Sequence, residues 1–138
     1  MISSQVPLRI ALERDVSSPG IARTAISRLC DDGGIDGSVR QTLLLLVSEL
    51  VSNAVLHSSA PVEAPIELSA AVGEQAISVA VIDGGNGFTP REREPGRRDG
   101  GYGLYLLARV AARWGVDEAA PTRVWFELER DGRPLACA

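Results

Sequence analysis

The stretch from Asp36 to His57 constrains the chain more than any other. Leucine, valine and alanine fill half of its positions, spread over most of a helical wheel, so it predicts a long central helix rather than a surface one. The start is expected near Asp36 or Ser38 and the end near His57. Its most apolar part, Leu43 to Leu56, is interrupted by Ser48, Glu49, Ser52 and Asn53. That run is too short and too polar to be expected to span a bilayer. A helix this greasy has to be covered, and the rest of the chain supplies the means.

Leu8, Ile10 and Leu12 alternate with polar or small residues and read as a half-buried strand. Ser18-Pro19 offers an N-cap followed by proline at the first helical position, with Ile21, Ala22, Ala25, Ile26 and Leu29 as the apolar face and Gly33-Gly34 as the stop. Ile66 to Val72 alternates again, and after a turn at 73–75 the residues Ile77 to Ile82 form a strand apolar enough to be buried on both faces. From Asp83 to Gly101 the chain is rich in glycine, proline, arginine and glutamate without periodicity. Loops beyond about 12–15 residues inside a compact domain are usually functional or disordered. A third helix is expected from Leu104 to Trp114, ended by Gly115, and a last strand from Thr122 to Glu129. Strands bracketing helices around a central hairpin give an α/β (α+β) fold, a two-layer sandwich with a mixed sheet and helices on one face.

With 138 residues there is room for one domain, 1–138, and one core. The net charge of −4 argues against a nucleic-acid module, which normally presents a basic face. Cys30 and Cys137 are isolated and His57 is the single histidine, so neither a zinc site nor a disulfide framework is expected. The N-terminus carries no signal-peptide pattern, and the expected location is the cytoplasm, with no membrane contact.

Three local features carry chemistry. Glu49, Asn53 and His57 are spaced four apart, and each such step turns a helix by only about 40°, so they form one polar stripe. A solvent-facing stripe is the bland account. A stripe interrupting a buried helix instead needs partners for its carboxylate and amide, which a magnesium ion and its waters would supply. Asp83-Gly84-Gly85-Asn86-Gly87 follows the buried strand. It is either a plain turn or a place where a carboxylate accepts a hydrogen bond from a base that the glycines let approach. Gly100-Gly101-Tyr102-Gly103-Leu104 opens the third helix, where unpaired amides and the helix dipole favour phosphate; tight packing would explain the glycines equally well. All fourteen basic residues are arginine, so the lysine-bearing phosphate loop is absent.

The order of the three features, E-x-x-x-N on a helix, D-x-G-x-G after a strand, a charged loop, then G-x-G on a helix, resembles the GHKL (Bergerat) ATPase superfamily, which includes gyrase B, histidine kinases and MutL. The resemblance covers a nucleotide-binding core of about 40–128. The segments SELVSNAVLHS, VIDGGNGF and GGYGLYLLARVAARWGV look like the anti-sigma factor serine/threonine kinases and their standalone actinobacterial relatives. By that resemblance Asn53 would ligate Mg2+ and Glu49 would be the general base. Asp83 would bind the adenine amino group, with Gly85 and Gly87 shaping the pocket. Gly101, Gly103 and Leu104 would hold the phosphates of ATP. Residues Asn86 to Gly100 would be the ATP lid, with Arg97 or Arg98 reaching the γ-phosphate, and His57 would be structural, near the pocket wall.

The same resemblance implies a kinase that transfers the γ-phosphate of ATP to a STAS-domain anti-anti-sigma partner and sequesters a sigma factor. The subgroup often forms a homodimer. The alternative is an ATP-binding regulatory module that holds a protein partner with little or no kinase activity. A histidine kinase core would be expected to follow a dimerising hairpin bearing a phospho-accepting histidine, for which these residues leave no room unless they are a fragment of a longer chain. Trp114 and Trp125 are expected in the core or at a partner surface rather than in the base pocket.

Overall fold

The computed structural model describes residues 6–58, 61, 63–84, 107–117 and 122–130. Within them the elements are β1 (Val6–Leu12), α1 (Ser18–Gly33), α2 (Gly37–His57), β2 (Ile66–Val72), β3 (Ala76–Asp83), β4 (Arg113–Asp117) and β5 (Thr122–Glu129). The strands form one sheet in the order β1-β2-β3-β5-β4. The expected two-layer α/β architecture is present. All four pairings are antiparallel, so the described sheet is more uniform than the mixed one expected.

Alternation along each strand decides what faces the helices. Ile66, Leu68, Ala70 and Val72 of β2, Ile77, Val79 and Val81 of β3, and Phe126 and Leu128 of β5 all enter one core with the buried residues of α1 and α2. The opposite face mixes charged residues with Ala80, Ile82 and Trp125. There Arg9 pairs with Glu67, Arg113 with Glu127 and Arg123 with Asp117, exposed cross-strand pairs of the kind that adds little stability.

α1 begins one residue earlier than expected, with Ser17 as its N-cap, Ser18 as its first residue and Pro19 second, and ends at Gly34, whose φ of 75° lets its N–H return to the Cys30 carbonyl. The buried face is Ala22, Ile26, Leu29 and Cys30, whereas Ile21, expected on it, is 52% exposed. Burial among apolar neighbours pushes the Cys30 thiol above its ordinary pKa, and this side chain is inert packing.

α2 is the central helix. Val39, Leu43, Leu46, Val47, Leu50, Val51 and Ala54 are buried along one stripe. By length and composition α2 is apolar enough to cross a membrane, with a mean hydropathy of 1.3 over its best window. The buried stripe against sheet and α1 marks it as the domain's core helix.

The third helix is where expectation and structure differ most. Residues 107–110 are helical and Leu107 is fully buried, but Arg113 already begins β4. The spacing of Leu107, Ala108, Ala111 and Ala112 extends a helical pattern into a segment whose real period is two. Trp114 and Val116 lie opposite Phe126 and Val124, while Gly115 lies opposite Trp125 on the outer face. Gly115 is no helix stop. A Cβ there would lie 2.8 Å from the Trp125 indole nitrogen, so the glycine lets the ring lie flat on the strand. Gly115→Ala is therefore expected to displace Trp125 and cost about 1–3 kcal/mol. Thermal unfolding, together with a shift in indole emission measured in a Trp114→Phe background, checks this.

Candidate nucleotide-binding site

Helix geometry separates the two flanks of α2. Arg40 and Ser48 lie on one side of its buried stripe and are held by α1: the Arg40 guanidinium donates to Asp31 and to the Ser27 carbonyl, and Arg23 donates to Ser48 at 2.9 Å. Glu49 and Asn53 lie about 100° away on the other side of the stripe. Since α1 rests on β1 and β2 while α2 is centred on β3, that second flank looks over the β3-β5-β4 half of the sheet. Glu49 and Asn53 are both half-buried there, and His57, at the last turn, is exposed. A stripe open to bulk water would be more exposed than this.

The sheet register brings Asp83 to the same end of the molecule. β1 ends where β2 begins, with Leu12 opposite Ile66; Glu67 lies opposite Ile82; and Asp83, the last residue of β3, lies opposite Thr122, the first of β5. The C-terminal end of α2 is tied to this edge by Arg14, just beyond β1, which donates to the carbonyls of Val55 and Ser58. Asp83 continues the row Ile77, Val79, Val81 and so belongs to the helix-facing side. The carboxylate of Asp83 and the Glu49–Asn53 flank of α2 thus lie toward the same end of the space between the two layers. Thr122, a residue only 3% exposed, is Asp83's cross-strand neighbour.

Thr122 was not legible as a site residue beforehand. A threonine opening an apolar strand is ordinary, and only the register pairs it with Asp83. Gly85, Gly87, Gly101, Gly103 and Leu104, together with the expected lid from Asn86 to Gly100 and its Arg97 and Arg98, lie outside the described residues.

Chemically, the described part of the site offers a strand-end carboxylate next to a buried hydroxyl, and an amide and a carboxylate one helical turn apart. Among the described residues no group of three His, Cys, Asp or Glu side chains converges. Oxygen donors in this number suit a hard cation that keeps most of its water and takes other ligands from phosphate; they do not make a zinc cage. The residues present fit Mg2+ on those terms.

A cavity of about 490 Å³ is lined by Ala11, Leu12, Glu13, Arg14, Asp15, Glu63 and Pro65, on the β1 side of α2's end. Most of its charged lining is carboxylate, which repels phosphate, so it is a poor seat for a nucleotide.

The fold and the placement of these residues fit a nucleotide-binding domain of the ATPase type. The model of the histidine kinase-like ATPase domain matches residues 12–127, and the chain belongs to that family. Solved structures agree on the fold. The RsbU and RsbW domains of Rv1364c from Mycobacterium tuberculosis superpose with a TM-score of 0.71 at 22% identity, over 91% of this chain and 32% of that one. The histidine kinase domain of the blue-light activated histidine kinase EL346 from Erythrobacter litoralis gives 0.56 at 21% identity, over 83% of this chain and 60% of that one. The mycobacterial sensor histidine kinase MprB gives 0.50 at 18% identity, over 94% and 99%. This chain therefore spans about a third of the first of these structures. A search of curated proteins gave no significant match.

Proposed function

We propose that the protein binds ATP with Mg2+ at the end of the sheet where Asp83 and α2 meet, and acts as an anti-sigma-type serine/threonine kinase on a STAS-domain partner. The observation that carries the reading is the placement of Glu49 and Asn53 on the flank of α2 that α1 leaves open, at the same sheet end as Asp83. The likeness in fold to a structure containing an RsbW domain supports a partner-switching role.

In this reading Asp83 accepts a hydrogen bond from the adenine amino group beside Thr122, and Asn53 holds the metal. When bound, Mg2+ neutralises charge on the phosphates and orients them. Gly85 and Gly87 shape the base pocket, and Gly101, Gly103 and Leu104 receive the phosphates. Glu49 accepts the proton of the partner's hydroxyl as its oxygen bonds to the γ-phosphorus. The bond from that phosphorus to the bridging oxygen breaks and ADP leaves with the electron pair. Such transfer depends mainly on positioning and charge neutralisation, which a two-layer scaffold with a fixed central helix provides. A sigma factor, a homodimer and a cytoplasmic location belong to the same proposal.

Glu49→Gln separates catalysis from binding. Phosphate transfer to a STAS partner is expected to fall by about 10²–10⁴-fold, the ordinary weight of a general base, with Mg-ATP affinity within about threefold of wild type. A radiolabelled transfer assay alongside calorimetry reads both. Unchanged transfer removes Glu49 from the base role. A wild type that binds ATP and the partner without transfer leaves the regulatory-module reading in its place.

A further inference from the structure

The C-terminal turn of α2 is fastened by a residue from another element. Arg14 crosses from the segment after β1, its Nε donating to the Val55 carbonyl at 3.0 Å and its terminal nitrogen to the Ser58 carbonyl at 2.7 Å, both bonds partly buried. The need for such a group lies in how α2 ends. Ser58 is extended and no glycine closes the helix. Carbonyls of a last turn lack partners within the helix, and this end carries the negative pole of its dipole. A planar guanidinium answers both needs, because its fork spans two carbonyls while its charge faces the dipole. Asn53 sits less than one turn before Val55, and Glu49 a full turn further from the fastening.

The surroundings give the fastening its weight. The 490 Å³ cavity lined by Glu13, Arg14, Asp15, Glu63 and Pro65 lies beside this end of the helix, so on that side close packing is replaced by space. Asp15 is engaged locally, accepting from the Ser17 amide at 3.0 Å and from its hydroxyl.

We propose that Arg14 is a positioning residue for the nucleotide site: it holds the last turn of α2 in place and, through it, sets the Asn53 amide for the magnesium-bound nucleotide. This rests on the nucleotide reading given above. In this proposal Arg14 acts through Asn53 and not on the nucleotide itself. Its effect is therefore confined to the metal-bound form of the nucleotide, since the base contact at Asp83 comes from the sheet.

Calorimetric titration of Mg-ATP, and of ATP in EDTA, into wild type, Arg14→Ala, Arg14→Lys, Asn53→Ala and the Arg14→Ala/Asn53→Ala double variant tests this. Arg14→Ala is expected to raise the Kd for Mg-ATP about tenfold, the scale of losing charge-assisted hydrogen bonds. The Kd in EDTA stays within about twofold of wild type, Arg14→Lys lies between wild type and Arg14→Ala, and the double variant is no weaker than Asn53→Ala alone. If Arg14→Ala does not fold, the lysine variant carries the same comparison with a smaller expected rise, about threefold, because one point donor replaces the fork. Equal weakening with and without metal, or additive losses in the double variant, overturns the proposal by showing general loosening. A folded wild type with no magnesium-dependent binding overturns the nucleotide reading itself, and a wild type that binds normally while Arg14→Ala matches it overturns the positioning role alone.

Discussion

Asn53→Ala is expected to remove the magnesium-dependent part of ATP binding. The amide is half-buried on the flank of α2 that α1 does not touch, and the neighbouring turn supplies only the Glu49 carboxylate. Mg2+ binds proteins through few side chains and takes the rest of its shell from water and phosphate, so each protein oxygen counts heavily. Losing the amide is expected to weaken Mg-ATP binding by about a hundredfold, on the order of 3 kcal/mol. Binding in EDTA, which depends on the base and the backbone, changes little. Asn53 is not among the buried residues of α2, so truncating it opens no core cavity, and the melting temperature is expected to shift by no more than a surface substitution would. Calorimetry in both buffers, with a melt of the same sample, checks the three expectations together. A Kd that rises equally in both buffers would place Asn53 at the nucleotide without the metal.

The largest expected loss of stability is at Phe126. Its ring is fully buried in β5, with Val79 of β3 on one side and Trp114 of β4 on the other in the register, and with the helix layer above. Phe126→Ala is expected to cost about 3–5 kcal/mol through lost transfer energy and a residual cavity. Small domains hold only about 5–15 kcal/mol in total, so the variant retains a fraction of the native margin and melts on the order of 10 °C lower. Trp114→Ala, on the same face but at an edge strand and 37% exposed, is expected to cost clearly less. Urea unfolding of the two variants side by side measures the difference. Equal losses would mean that β4 is packed more deeply than its exposure indicates.

The central helix and the β2–β3 hairpin were legible because each shows its period over many residues. α2 repeats its buried positions from Val39 to Ala54, and β2 alternates without a break from Ile66 to Val72. β4 was not legible. It spans five residues with a glycine at its centre and charged residues at both ends, and the alanines before it continue a helical spacing. Ile21 misled in a related way, since it follows the apolar spacing of α1 but lies on the flank turned away from α2, where no described element covers it.

Within the candidate site, Glu49, Asn53 and Asp83 could be singled out because a polar residue in an apolar element is conspicuous in sequence. Thr122 and Arg14 could not. Thr122 matters only through its register with Asp83, and Arg14 only through a hydrogen bond to carbonyls more than forty positions away. Long-range pairing of this kind is a property of the folded topology, and no local pattern encodes it.

The most direct test of where the nucleotide sits is a titration of Mg-ATP into isotope-labelled protein, followed by backbone amide chemical shifts. The expected perturbations centre on the second half of α2 from Glu49 to His57, on Asp83 at the end of β3 and on Thr122 across from it, with little change around Ala11, Glu63 and Pro65. Perturbations gathered instead around the 490 Å³ cavity, or none at millimolar nucleotide, would contradict the placement of an ATP site between α2 and the end of β3.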